Sequence, residues 1–471
     1  MNPFSCDTRE RDMNALSNSM ENLEEVLKTK GGAVNLLRNS PLSSYNFPVL
    51  PPEYSTWMTE QRAWRNESAF LDLSYHQTDL YIRGGEDALA LFRKIALTKM
   101  RTFPAGRAKQ LIMSSHDGYQ ISDGICFHQE PDLYRVTGPA TVSNWVQFNA
   151  VSGNYDLEIE RDETVAMRPG EPKIFIFQIQ GPRALDLMRK VSSDSLPEIK
   201  FFHIGDFEIA GVTVKALRHG MAGEPGFEIF GAWEEHQKVR DAFDKCGPEF
   251  GMKKVGGLSY GTTALESAWL PLPVPAIYKD QKMKSYREWL TPRNLEVMGS
   301  LGGSFYSDDI EDYYFSPLEI GYSKLVEWDQ DFIGREALAA KAKGSLRSKV
   351  TLLWHADDVA AAMQSSLFDK PGEGAKFMKM PLVAYSTFQV DEVKSGSKTA
   401  GQSSWCGFSA NAGTVISLAL LDERFTKPGT EVELIWGDAT ASRLSIEAHK
   451  LRTIRATVAE APYFRKTIKD D

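Results

Sequence analysis

Between Asp79 and Cys246 the chain passes twice through the same order of strands and helices, and few folds accommodate such a repetition. The first pass opens at Asp79-Leu-Tyr-Ile-Arg83, an alternating run expected as a strand, followed by Gly84-Gly85 and an apolar-periodic helix over Asp87–Leu97. Strands are expected at Lys109–Ser114, Gln120–His128 and Asp132–Thr137, then a helix over Ala140–Asn149 and a strand over Tyr155–Glu160. The second pass runs through a strand at Lys173–Gln180, a helix at Arg183–Val191 and a hairpin over Phe207–Leu217 turning at Ala210-Gly211. It ends with a strand at Phe227–Phe230 and a helix at Glu234–Cys246. Two successive strand-helix-strand-strand-helix-strand blocks predict an α+β fold with two ferredoxin-like α+β units.

Helices expected over Leu16–Arg38, interrupted at Gly31-Gly32, and over Ser55–Ser68 precede the blocks. From Lys349 the texture changes to short alternating runs such as Thr414–Leu421, Glu431–Trp436 and Thr453–Val458. These predict a C-terminal antiparallel β domain, barrel or jelly-roll-like, with the glycine-dotted segment 360–412 as loop. The 471 residues thus divide into three expected domains: 1–170 with the N-terminal helices and first unit, 171–345 with the second unit and a connecting segment, and 346–471.

Charge and cysteine usage narrow the function. Lys plus Arg total 54 against 63 Asp plus Glu, a net charge of -9, which is the opposite of a nucleic-acid footprint. Cys6, Cys126, Cys246 and Cys406 are widely spaced with no C-x-x-C, as expected of a protein in a reducing cytoplasm without a disulfide framework. No signal peptide, membrane span or obligate protein partner is expected. The eight histidines contain no H-x-x-x-H pair, so no metal is expected, and neither G-x-S-x-G nor a phosphate-binding G-x-x-x-x-G-K-[ST] occurs.

Two segments stand out. Phe177-Gln-Ile-Gln-Gly-Pro182 ends a strand in a turn that opens a helix at proline, a favoured first helical residue. Arg218-His-Gly-Met-Ala-Gly-Glu-Pro-Gly-Phe-Glu-Ile229 is a glycine-rich loop that delivers Glu228 at the head of a strand. Either is equally readable alone as a tight turn, the second with a solvated glutamate. Together with Ala264-Leu-Glu-Ser-Ala-Trp269, Ser316-Pro-Leu-Glu-Ile-Gly321 and Phe332-Ile-Gly-Arg-Glu-Ala-Leu338, in this order, they resemble the tetrahydrofolate-dependent aminomethyltransferase (GcvT-like) superfamily over about residues 70–460. Leu36-Leu-Arg-Asn-Ser40, Glu60-Gln-Arg-Ala-Trp-Arg-Asn66, Pro273-Val-Pro-Ala-Ile-Tyr278 and Ile310-Glu-Asp-Tyr-Tyr314 resemble more closely the bacterial aryl O-demethylases of vanillate and syringate.

That resemblance implies three domains around a central opening, tetrahydrofolate inside it, and a small methoxylated aromatic as substrate. Phenolate is a poor leaving group, so transfer needs a donor at the ether oxygen and the methyl held roughly 3 to 3.5 Å from a nitrogen nucleophile. The family's catalytic tyrosine falls on Tyr260. With an ordinary pKa of about 10, tyrosine matches a phenol in basicity. For the pterin the resemblance implies Glu228 as an acceptor, Gln178 and Gln180 on the same strand face, Trp269 as a flat wall, and Asp123 near the folate nitrogen.

On the aromatic side it implies Tyr45, Phe47, Leu73, His76 and Pro139, with departures from the family pattern. Phe47 stands for a tyrosine, Leu73 for a glutamine, and Pro139 for the arginine that holds the substrate carboxylate, whereas Tyr45 and His76 are retained. A proline carries no charge and donates nothing, so a carboxylate is expected to be held by His76 or another donor. The more apolar pocket favours a chlorinated 2-methoxybenzoate such as dicamba, with vanillate-like and syringate-like acids as the alternative. Two further readings are aminomethyl transfer or aliphatic demethylation, which Tyr260 disfavours, and folate binding without chemistry, which the absence of cysteine from Arg218–Glu228 disfavours.

Overall fold

The computed structural model describes residues 22–44, 47, 49–193, 195–440 and 443–469. The expected N-terminal helix is two helices, α1 (Leu23–Thr29) and α2 (Ala33–Arg38), parted at the predicted glycines, and its first residues, 16–21, lie outside the described part. Asn22 caps α1 by accepting from the Glu25 amide at 3.1 Å. Helix α3 (Trp57–Asn66), capped by Thr56, buries Glu60, Gln61, Ala63 and Trp64 on one face. Two ionisable or polar side chains among those four mark this helix as more than a hydrophobic prop.

The strands that follow are β1 (Ala69–Asp72) and β2 (Thr78–Arg83), then helix α4 (Gly85–Ile95) and strands β3 (Arg107–Ser114), β4 (Gln120–Glu130) and β5 (Leu133–Gly138). Helix α5 (Ala140–Ser152) and β6 (Glu158–Asp162) close the first block. The second block holds β7 (Ile174–Gln180), α6 (Ala184–Val191), β8 (Ile204–Ile209), β9 (Val212–Arg218), β10 (Gly226–Ala232), α7 (His236–Cys246) and β11 (Lys253–Lys254). The sheet orders are β3-β4-β5-β2-β6 and β11-β1-β7-β10-β9-β8. The first keeps the ferredoxin-like order last, first, third, second, with β3 added on its edge; the second keeps that order except that β1 separates its last strand from its first, and carries β8 on its edge.

The second sheet holds one insertion the sequence pattern did not announce. Strand β1 lies between β11 and β7, pairing antiparallel to β7 with Ala69 opposite Gln180 and Asp72 opposite Phe177. Its four residues are all buried, so the run Ala-Phe-Leu-Asp shows none of the alternation by which a half-exposed strand is read. Residues on both sides of position 170 thus build the second sheet.

After β11 come the short helices α8 (Gly257–Tyr260) and α9 (Thr263–Ser267), then α10 (Lys284–Trp289), α11 (Leu295–Met298), strand β12 (Leu301–Gly302) and α12 (Arg335–Lys341). The C-terminal part comprises β13 (Ser348–Trp354), α13 (Ala356–Phe368), β14 (Phe388–Gln389), β15 (Asp391–Ser395), β16 (Lys398–Ser409), β17 (Thr414–Leu421), β18 (Glu431–Trp436) and β19 (Arg452–Ala459). Six of these close into an antiparallel barrel, β13-β17-β16-β15-β18-β19, while β14 pairs with β12. The segment expected as loop between 360 and 412 in fact holds most of α13 and two barrel strands. Strand β16, Lys-Thr-Ala-Gly-Gln-Ser-Ser-Trp-Cys-Gly-Phe-Ser, is polar in composition yet buried along most of its length, with Ser403 and Ser417 sharing a hydrogen bond at 2.8 Å. Hydroxyls satisfied inside a barrel read as loop in a linear sequence.

The turn after β7 requires its glycine. Gly181 has φ +123°, and a Cβ there would sit 2.5 Å from the Glu67 carbonyl oxygen that ends α3. Gly181→Ala is therefore expected to destabilise the protein by about 1 to 3 kcal/mol. Urea unfolding checks this, and an unchanged midpoint would contradict the packing described.

Candidate active site

Tyr260 ends helix α8, and two buried carboxylates on α3 and α9 fix that segment. Glu60 accepts the Tyr54 and Ser55 amides at 2.7 and 2.9 Å through Oε1, and the Gly256 amide and Ser259 hydroxyl, both at 2.9 Å, through Oε2. Glu266 accepts from Trp64 Nε1 at 3.0 Å, Arg65 Nη2 at 3.1 Å and Ser409 Oγ at 2.7 Å. Gln61 donates to Thr262 Oγ1 and to the Phe408 carbonyl, both at 2.9 Å, tying α3 to the barrel. Each carboxylate is buried and surrounded by donors, the condition under which a buried charge is tolerated.

The Tyr260 hydroxyl lies 2.6 Å from His76 Nε2. His76 Nδ1 lies 3.1 Å from the Leu73 carbonyl oxygen, which only accepts, so Nδ1 carries the proton and Nε2 accepts from tyrosine. Phe47 packs on both rings, with centroids 4.6 Å from His76 and 4.7 Å from Tyr260. Burial pushes the His76 pKa down to about 4, so the ring is neutral near pH 7 and has no charge to offer a carboxylate. Leu73 is buried in the same apolar cluster, which also holds Phe127 and Phe230. The structure thus brings Phe47, Leu73, His76 and Tyr260 together, and Tyr45 lies outside the described residues.

Pro139 is half-buried and caps α5, its carbonyl accepting the Val142 amide at 2.9 Å. The strand end before it is tied to the histidine loop, because Thr137 Oγ1 donates to Gln77 Oε1 and Gly138 is registered against Thr78.

A second group forms around Asp123. Trp269 Nε1 and the Tyr322 hydroxyl each donate to its Oδ2 at 2.9 Å, and Gln110 Nε2 does so at 3.2 Å. Burial pushes the Asp123 pKa up against these donors, with Lys349 also acting to lower it. Lys349 donates to the Ala268 and Ile320 carbonyls at 2.7 and 2.5 Å, and burial draws its pKa down to about 8. Asp123 and Trp269 were expected separately; the indole N–H joins them.

The third group lies on the second sheet. Glu228 on β10 is registered opposite Gln178 on β7, and Gly226 opposite Gln180, so the three side chains share one face. Gln178 Nε2 donates to the His219 carbonyl at 2.8 Å, and Gln180 Oε1 accepts the Met221 and Ala222 amides at 2.8 and 3.1 Å. Their other ends, Gln178 Oε1 and Gln180 Nε2, are buried without a hydrogen-bond partner among the described residues. Glu228 accepts from Arg135 Nη2 at 3.1 Å.

Arg135, Gln110, Tyr322 and Glu60 were not singled out in the sequence. For Arg135 a signal existed: an arginine inside Leu-Tyr-Arg-Val-Thr, a strand otherwise fit for a core, demands a buried partner. The other three are drawn in only by tertiary contacts. Among the described residues no group of three or more His, Cys, Asp or Glu gathers as a metal site would require, and no helix is long and apolar enough to cross a membrane.

Comparison with known proteins places the chain in a family. The GCVT N-terminal domain family matches residues 43–272. Syringate O-demethylase of Sphingobium sp. is 36% identical over 446 residues, covering 94% of this chain and 96% of that one. Sesamin methylene transferase of Sinomonas sp. is 27% identical and covers 89% and 91% of the two chains, and an aminomethyltransferase of Caldanaerobacter subterraneus is 25% identical, covering 88% and 93%. The crystal structure of the glycine cleavage system aminomethyltransferase T from Bartonella henselae superposes with a TM-score of 0.58 at 13% identity, covering 94% of this chain and 97% of that one, which speaks for the fold. The chain belongs to the tetrahydrofolate-dependent GcvT-like superfamily and, within it, to the family of syringate O-demethylase.

Proposed function

We propose that this enzyme removes the methyl group of a methoxylated aromatic acid and passes it to tetrahydrofolate, leaving a phenol and 5-methyltetrahydrofolate. The observation that carries the reading is Tyr260, whose hydroxyl is fixed by His76 in an aromatic corner beside Phe47. The second sheet fits a pterin. Glu228, the unpartnered Gln178 Oε1 and the unpartnered Gln180 Nε2 set acceptors and a donor on one buried face, as a flat heterocycle rich in N–H groups and one carbonyl requires. Bound there, tetrahydrofolate supplies the nitrogen that takes the methyl. Trp269, held by Asp123, offers the ring a wall.

The chain's own work is at the ether oxygen. As the bond between methyl and oxygen breaks, negative charge develops on a phenolic oxygen, and Tyr260 turns its proton from His76 Nε2 to that atom. Neutral His76 has no proton on Nε2 to return, so tyrosine regains its proton through solvent, which also takes up the proton that the accepting nitrogen would release, and the sum is proton-neutral. His76 therefore orients the hydroxyl between turnovers. Tyr260→Phe is expected to lower kcat by about 100-fold or more while tetrahydrofolate still binds, the span of general-acid contributions. Formation of 5-methyltetrahydrofolate reports it, and wild-type turnover would remove the tyrosine from the mechanism.

His76 also gives a pH signature. Held neutral down to about 4, it contributes no limb near the ordinary histidine value of 6.5 to the kcat profile. A limb near that value that disappears in His76→Gln would contradict the neutral state that burial imposes on the ring.

For the substrate, Pro139 and Leu73 remove polar groups, and neutral His76 does not replace the missing arginine. This supports an acid whose carboxylate sits beside the methoxy group, as in a chlorinated 2-methoxybenzoate such as dicamba, over a vanillate-like or syringate-like acid. A panel of both kinds, incubated with tetrahydrofolate, is expected to favour the first. Efficient turnover of vanillate with none of dicamba would reverse the assignment.

A further inference from the structure

Arg135 occupies an unusual position for a charged side chain. It is fully buried, its guanidinium carbon lies 4.1 Å from the centre of the Phe127 ring and 4.4 Å from that of Phe230, and it faces two carboxylates from different sheets. On its own sheet Asp79 Oδ2 lies 3.8 Å from Nη1, and on the other sheet Glu228 Oε1 lies 3.1 Å from Nη2. Among the described residues only the contact to Glu228 is a hydrogen bond, and Nε and Nη1 make none. One guanidinium thus stands between two acids, offset toward the one on the pterin face. We propose that Arg135 is a positioning residue for folate: it holds Glu228 as an oriented, acceptor-only carboxylate, so that Oε2 receives the N–H groups of the pterin ring.

The inference rests on the reading of Glu228 as a pterin ligand. A protonated carboxyl would turn an O–H donor toward N–H donors and lose part of its accepting capacity. Burial and the charge of Asp79 both push Glu228 toward that protonated form, and Arg135 is the group that opposes them. Among the described residues Arg135 and Asp79 are the charged groups that act on Glu228, while Asp162 and Arg168 act on Asp79 and pair with each other at 2.7 Å. Gln178, across the strand, is uncharged. Phe127 and Phe230, whose ring centres lie 5.7 Å apart, pack against adjacent sides of the guanidinium and shield those sides from water.

The test is tetrahydrofolate binding by the whole chain, measured calorimetrically from pH 6 to 9, with kcat read at saturating folate. Arg135→Met, which keeps a long apolar stem against the rings, is expected to raise Kd roughly tenfold or more at pH 7. It should move the acid limb of binding to higher pH and leave kcat within a few-fold. A wild-type Kd with an unshifted limb, or a loss of kcat and affinity equal at every pH, overturns the proposal. If that variant does not fold, Asp79→Asn serves: removing the competing negative charge should move the limb to lower pH, and a limb unmoved or moved upward overturns the proposal. Glu228→Gln separates the two levels. Unchanged folate affinity there removes the pterin reading itself, whereas weakened binding in Glu228→Gln beside unaltered Arg135→Met removes only the role of Arg135.

Discussion

Two carboxylates buried where helix α3 meets the middle of the chain hold the rest in register. Glu60 fastens the start of α8 and Glu266 fastens α9, so the few residues between them, Tyr260 included, are bracketed by ionic and hydrogen-bonded anchors rather than by apolar packing alone. Hydrogen bonds are directional where apolar contact is not, and a hydroxyl that must reach one atom of a substrate benefits from that. The same helix reaches the barrel through Gln61, which makes the barrel part of the frame of the site although it lends none of the side chains discussed above as touching substrate.

The site combines two electrostatic regimes. Around Tyr260 burial favours neutral partners: a histidine drawn down to about 4 beside a phenyl ring. Across the apolar cluster, Phe127 and Phe230 border an arginine that neutralises carboxylate charge between two sheets. In the proposed reaction the first would face an aryl ether, uncharged at its reacting end, and the second a pterin rich in N–H groups, so the two polarities match the two proposed ligands. Low dielectric strengthens both arrangements and penalises any unpaired charge placed between them.

Much of the architecture was legible because half-exposed strands alternate and helices keep their apolar period. The predicted strands of both blocks appear within a few residues, whereas β1 and β16 escaped, one for being buried on both faces and the other for burying serines. Tyr260 is different. Nothing in its local pattern marks it, and family resemblance alone named it before its hydroxyl was found at His76. The pairing of Trp269 with Asp123 and of Arg135 with Glu228 joins residues far apart in sequence, on strands whose register no local pattern encodes.

The insertion of β1 into the second sheet has a consequence for how such a chain is made. Ribosomal synthesis delivers residues 69–72 early, yet their antiparallel neighbour β7 and parallel neighbour β11 emerge much later. The first block can therefore close its own sheet on the nascent chain while β1 waits, an unpaired apolar segment exposed to mispairing until the second block arrives. Cutting the gene between the blocks would give a second fragment with an open edge on β7 and a first fragment carrying the strand that should cover it. The two units repeat one topology, but they are interlocked by a borrowed strand and mature as a single body.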